Sequence, residues 1–93
     1  MEQNMLTWEI IARGRVQGVG FRHFASLCAR QYAITGYVRN QVDGSVRIVA
    51  QGEAGDLDDF CALLKTGRHF ILVQELNITE LDNAVEYNDF EIR

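Results

Sequence analysis

The sequence predicts an α+β sandwich, an antiparallel sheet carrying two helices on one face. Three observations predict it. Apolar residues alternate every second position in the first segment, recur at helical spacing in two others, and the remaining segments read as strands. Those segments follow the order β-α-β-β-α-β. The 93 residues suffice for one core and contain no proline and no serine- or glycine-rich linker, so residues 1–93 read as a single domain.

Residues 7–13 alternate, with Trp8, Ile10 and Ala12 on one side and Thr7, Glu9, Ile11 and Arg13 on the other, which is strand periodicity. From Phe21 the period changes. Phe21, Phe24, Ala25, Leu27, Cys28 and Tyr32 share a helical face, with Arg22, Ser26 and Arg30 off it. Residues 35–41 and 45–51 read as two strands joined around Val42-Asp43-Gly44, since Asp-Gly provides the positive φ of a tight hairpin. A second helix spans residues 54–65 on the stripe Leu57, Phe60, Cys61 and Leu64. Asp56, Asp58 and Asp59 near its start complement the helix dipole, and Thr66-Gly67 ends it. Residues 70–81 form a long strand and residues 89–93 a short closing one.

This order matches the ferredoxin-like βαββαβ sandwich. A right-handed crossover makes the first two strands parallel and leaves room for a later strand between them. Arg22, opening the first helix, and Asn40, late in the second strand, then face the same end of the sheet. Two interstrand spacings separate them, roughly 10 Å.

Charge and cysteine usage narrow the function classes. The net charge is −4, but residues 1–50 carry six arginines against three acids, while residues 51–93 carry three cations against ten acids. The acidic total argues against a general nucleic-acid binder, and the basic first half permits a local anion site. No apolar run approaches 18 residues, and residues 1–6 are too short and polar for a signal peptide, so a cytoplasmic protein without membrane attachment is expected. Cys28 and Cys61 fall on helical apolar faces, the pattern of buried free thiols; a disulfide between them is the other state the sequence allows.

The stretch Gly14-Arg15-Val16-Gln17-Gly18-Val19-Gly20-Phe21-Arg22 joins the first strand to the first helix. Backbone N–H groups in such a turn converge on an anion, and the helix end adds partial positive charge. Gly18 and Gly20 keep the approach free of Cβ atoms, and Arg22 offers a planar fork for two phosphate oxygens. From pattern alone two readings stand: an anion cradle, or a tight turn followed by a solvated arginine. It is not a dinucleotide fingerprint, because residue 23 is histidine and not glycine, nor a Walker loop, because no Lys-Ser/Thr pair follows. Val16 occupies the place of the cysteine in a cysteine-x5-arginine phosphatase loop, so the cradle has no nucleophile of its own.

His23 and His69 stand alone, outside any metal-ligand spacing. His23 reads as a surface residue or as a secondary substrate contact. With neither metal set nor nucleophile, a phosphoryl-transfer site suits a substrate whose leaving group is already good, such as a carboxylic–phosphoric anhydride. Asn40 is then a candidate to position water, or simply a polar residue beside a hairpin.

At these residues the chain resembles the acylphosphatase family. The loop above looks like that family's G-x-V-Q-G-V-x-F-R signature. Gly36-Tyr37-Val38-Arg39-Asn40, followed by Asp43-Gly44-Ser45-Val46, looks like its second. The resemblance covers nearly the whole chain. It implies a cofactor-free, metal-independent cytosolic hydrolase, expected to be monomeric, that releases phosphate from small acyl phosphates and binds neither nucleic acid nor membrane. By position, Arg22 would bind and polarise the phosphoryl group and Asn40 would orient the attacking water. The amides of Gln17, Gly18, Val19, Gly20 and Phe21 would complete the cradle. Two departures stand out: Ala12 where a larger aliphatic is usual, and Gly67-Arg68-His69-Phe70-Ile71 where many members have Gly-Pro and a small residue. The acylphosphatase-like domain of hydrogenase-maturation proteins is a rival within the resemblance, but it belongs to much longer chains. A non-catalytic RNA-recognition module on the same fold is a rival of another class. The strand over residues 45–51 has Arg47 but lacks the aromatic residues such a module displays.

Overall fold

The alternating and helix-periodic segments fold as their periods dictate. A computed structural model describes residues 5–82 and 85–93; residues 1–4, which open the segment read above as too polar for a signal, lie outside them. The elements are β1 (Met5–Arg15), α1 (Phe21–Gln31), β2 (Thr35–Asn40), β3 (Val46–Glu53), α2 (Ala54–Thr66), β4 (Leu72–Leu81) and β5 (Phe90–Ile92). The sheet order is β4-β1-β3-β2-β5, with β3 filling the expected gap between β1 and β2. β1 pairs antiparallel with β3 and β4, and β2 antiparallel with β3.

One difference concerns the edge. β5 pairs parallel with β2, matching Gly36 to Phe90 and Val38 to Ile92, so the sheet is mixed rather than wholly antiparallel. The N–H groups of Gly36 and Arg93 donate to the Asp89 and Val38 carbonyls at 2.8 and 2.7 Å, anchoring the strand at both ends.

The registers line up one apolar row across all five strands: Ile78, Ile10, Ile48, Val38 and Ile92. Directly paired residues share a face, and this is the face the helices cover. Ile10, Ile48 and Val38 are fully buried with Phe21, Phe24, Leu57, Phe60 and Leu64 in one cluster. Ser26, expected off the apolar face, is buried as well. α1 touches α2, β2 and β5, which widens its covered surface beyond a single stripe. On the opposite sheet face Arg47 donates to Glu9 Oε2 at 2.8 Å and to the Tyr37 hydroxyl. Tyr37 is also flanked by the Arg93 guanidinium, 4.1 Å from its centroid, and by the edge of Tyr87.

Phe70, read as the start of the long strand, instead lies in a tight connection and is 75% exposed. Gly67 and His69 adopt positive φ angles of 65° and 55°, turning the chain, and the Ile71 N–H donates to the Arg68 carbonyl at 2.9 Å. β4 begins only after that turn.

Cys28 and Cys61 are free and buried. Burial pushes both thiols up, from 9.0 to about 11, because an interior thiolate would lack hydration. Both therefore stay neutral at pH 8. Neither is expected to react with Ellman's reagent in the native protein, and two thiols per chain should titrate after unfolding in guanidinium. Fast labelling of the native protein would contradict this.

Candidate active site

The turn between β1 and α1 is shaped by its glycines. Gly18 and Gly20 lie at φ 74° and 85°, in the left-handed region that other residues adopt at a cost. A Cβ built on either would meet nothing within 4 Å, so it is the backbone conformation that calls for glycine, and the space above the turn is open. Gly20 caps α1 without a side-chain hydrogen bond, and no acidic residue occupies the first turn. The helix's internal bonding starts with Phe24 N–H to the Gly20 carbonyl at 3.0 Å. The N–H groups of Phe21, Arg22 and His23 thus have no intrahelical acceptor, and the dipole end of α1 is left uncompensated.

A cleft of ≈ 290 Å³ opens over this turn. Val16, Gly18, Gly20 and Phe21 line it from the loop, Arg22 and His23 from the first turn of α1, and Asn40 and Ile92 from the far side. The two side chains singled out in sequence, Arg22 and Asn40, therefore share one cavity. Arg22 is half-buried, and its guanidinium has no hydrogen bond or ion pair among the described residues. Asn40, exposed at the end of β2, likewise has no side-chain partner there. A half-buried cation without a counter-ion, beside free amide donors and a helix N-terminus, makes an electrostatic site for an anion. Val16, 1% exposed, supplies an apolar wall.

Two loop residues serve otherwise than through side chains in the cleft. Val19 packs partly buried against the core cluster and away from the cleft. Gln17 turns its carboxamide toward the β2–β3 hairpin, where Nε2 donates to the carbonyls of Gln41 and Ser45, each at 2.8 Å. Any ligand contact from these two falls to their backbone amides. The Gln17 bonds tie the loop to the hairpin that begins one residue after Asn40. The hairpin is itself closed by Gln41 N–H to the Ser45 carbonyl at 2.9 Å and by Asp43 Oδ1, which accepts from the Ser45 N–H and hydroxyl at 3.0 and 2.6 Å. Those bonds hold the Asp43 carboxyl below its ordinary pKa.

Gln17→Leu should lose both bonds, at about 0.5–1.5 kcal/mol each, lowering the urea midpoint. It should also let Asn40 drift relative to Arg22, so that kcat falls while the fold persists. Unchanged stability and turnover would show that the tie is not needed.

Sequence reasoning missed Ile92. Its one signal was the alternation of Phe90 and Ile92 in the closing segment; the parallel pairing that carries it to the cleft is a long-range event. His23, left open between surface and substrate contact, does line the cleft.

Comparison with known proteins follows the same lines. Residues 8–92 match the family model described as Acylphosphatase. The chain is 48% identical over 85 residues to an acylphosphatase of Leuconostoc mesenteroides, covering 91% of this chain and 94% of that one. The crystal structure of an acylphosphatase from Bacillus subtilis superposes with a TM-score of 0.90 at 38% identity, over 95% of this chain and 98% of that one. Full-length HypF in its phosphate- and nucleotide-bound form superposes with a TM-score of 0.87 at 28% identity, covering all of this chain but 12% of that one. Both signature segments fall within the matched residues and meet at one cleft, and on this evidence the chain belongs to the acylphosphatase family.

Proposed function

We propose that the chain hydrolyses the carboxyl–phosphate bond of small acyl phosphates, as a single acylphosphatase-like domain, with Arg22 and Asn40 as its catalytic side chains. The observation that carries this reading is their position in one cleft, both side chains without a partner among the described residues, beside a wall, Val16, that holds no nucleophile. The phosphoryl oxygens lie against the amides of Gln17, Gly18, Val19, Gly20, Phe21 and Arg22, with the Arg22 fork on two of them. The Asn40 carboxamide oxygen accepts a hydrogen bond from a water and holds its oxygen toward phosphorus. That oxygen attacks as the bond from phosphorus to the acyl oxygen breaks, and the bonding electron pair leaves with the carboxylate. Both water hydrogens end on dihydrogen phosphate. The leaving carboxylate, the base of an acid with a pKa of about 4, needs no proton. Charge on the equatorial oxygens is met by donors already in place, which is the largest electrostatic contribution such a site makes.

Among the described residues no three His, Cys, Asp or Glu side chains group to hold a metal ion, and the mechanism routes no step through one. Wild-type protein should hydrolyse benzoyl phosphate at the same rate with and without a chelator. Loss of activity with the chelator would overturn the water-and-arginine mechanism, and an inactive wild type would overturn the assignment itself.

No helix among the described residues is long and apolar enough to cross a membrane. The net charge of −4, with Arg47 ion-paired and Tyr37 8% exposed on the outer sheet face, disfavours a nucleic-acid surface. The reading is of a monomeric cytoplasmic enzyme.

A further inference from the structure

A second groove of ≈ 280 Å³ borders the turn that opens α1. It shares Gly20 and His23 with the first cleft, so the two abut. Its remaining lining differs. Val19, Phe24 and Leu27 come from the loop and α1, and Arg68, His69 and Ile71 from the connection between α2 and β4. The sheet order explains the separation. Asn40 and Ile92 belong to β2 and β5 at one edge, whereas residues 68–71 lead into β4 at the opposite edge. The opening of α1 stands between.

In-line displacement at phosphorus places the attacking and leaving oxygens on opposite sides of the transferred group. Water held by Asn40 enters from the β2–β5 side. The acyl group must then leave toward the groove. The groove's chemistry is specific. Val19, Phe24, Leu27 and Ile71 offer an apolar wall for a short methylene chain. Arg68, His69 and His23 offer cationic or N–H donor groups at its rim, and no aspartate or glutamate lines it. The Arg68 guanidinium has no hydrogen bond or ion pair among the described residues. The turn that carries it is held by the Gly67 and His69 backbone angles and by the Ile71 N–H to Arg68 carbonyl bond.

We infer that this groove receives the acyl half of the substrate and that Arg68 selects acyl phosphates whose chain ends in a second carboxylate. The inference rests on the acyl-phosphate reading above and adds a substrate class to it. Apolar walls bind the chain of any acyl group of suitable length. An unpaired arginine with no acid beside it favours the one that ends in an anion.

Succinyl and butyryl phosphate have four-carbon acyl groups and differ in the terminal carboxylate. Wild type should prefer succinyl phosphate about tenfold in kcat/KM, through KM, with the preference shrinking as salt is raised because the pair is solvent-screened. Arg68→Gln, an exposed substitution, should bring the succinyl-to-butyryl ratio close to one, and Arg68→Glu should invert it. Leu27→Trp, filling the groove, should lower the butyryl-to-acetyl ratio. A wild type that hydrolyses all three substrates without charge preference, or a ratio that Arg68→Gln leaves intact, would overturn the inference alone. A wild type inactive on all three would overturn the hydrolase reading beneath it.

Discussion

Replacing Arg22 by alanine is expected to lower kcat/KM for benzoyl phosphate by about 10³-fold, with both kcat and KM affected. Removing one preorganised donor from a charge-stabilising site costs about 10²–10³ in rate, and here the donor carries a full charge and a two-pronged fork. The loss corresponds to about 4 kcal/mol of transition-state stabilisation at 1.36 kcal/mol per decade. The guanidinium makes no bond among the described residues, so the loss should not extend to the fold. The unfolding midpoint of Arg22→Ala should equal or exceed that of wild type, since a half-buried cation without a partner carries a desolvation penalty. Inorganic phosphate should raise the wild-type midpoint by binding the native state and leave that of the variant unmoved. Arg22→Lys retains charge but not the fork and should fall between the two. Full activity in Arg22→Ala would remove the central element of the mechanism.

Asn40→Ala is expected to behave differently. Its kcat should fall by about 10²-fold or more, with KM within about twofold of wild type, because a group that orients water acts in the transition state and not on bound substrate. Asn40 is exposed and its side chain has no partner among the described residues, so stability should change by less than about 0.5 kcal/mol. Phosphate should still stabilise this variant as it does wild type. That retained binding would separate the two proposed roles, Arg22 on the phosphoryl group and Asn40 on the attacking water. A raised KM with unchanged kcat would reassign Asn40 to substrate binding.

What was legible in sequence was whatever is periodic or local. Alternation located β1, the stripes on α1 and α2 placed Phe24 and Phe60 inside, and Asp43-Gly44 marked the hairpin of β2 and β3. The turn before α1 was legible because Gly18, Gly20 and Arg22 are near neighbours, and the structure gives both glycines positive φ and places all three at one cleft. What escaped was set by pairing between distant segments. The direction of β5 depends on which edge is free when it docks, and no pattern within three residues records that. Ile92 reaches the cleft only through that docking. Gln17 was read for its backbone amide alone, and the bonds of its carboxamide to carbonyls 24 and 28 residues away had no local signal. Phe70 carried a strand-forming side chain into a turn dictated by the backbone at Gly67 and His69. Ser26 is buried although the spacing of its own segment puts it off the apolar face, because α1 packs against more than one neighbour.

The position of β3 bears on how activity appears during folding. Arg22 follows β1 and Asn40 ends β2, yet these strands never touch; the strand between them is made later along the chain. A partly folded chain with β1, α1 and β2 complete would still lack the spacer that sets their separation. Because closure of such non-local pairings is slow relative to helix formation, turnover in a refolding experiment would report the insertion of the central strand and not the earlier growth of helical signal. The enzyme thus carries its own late-stage folding indicator, read in released phosphate.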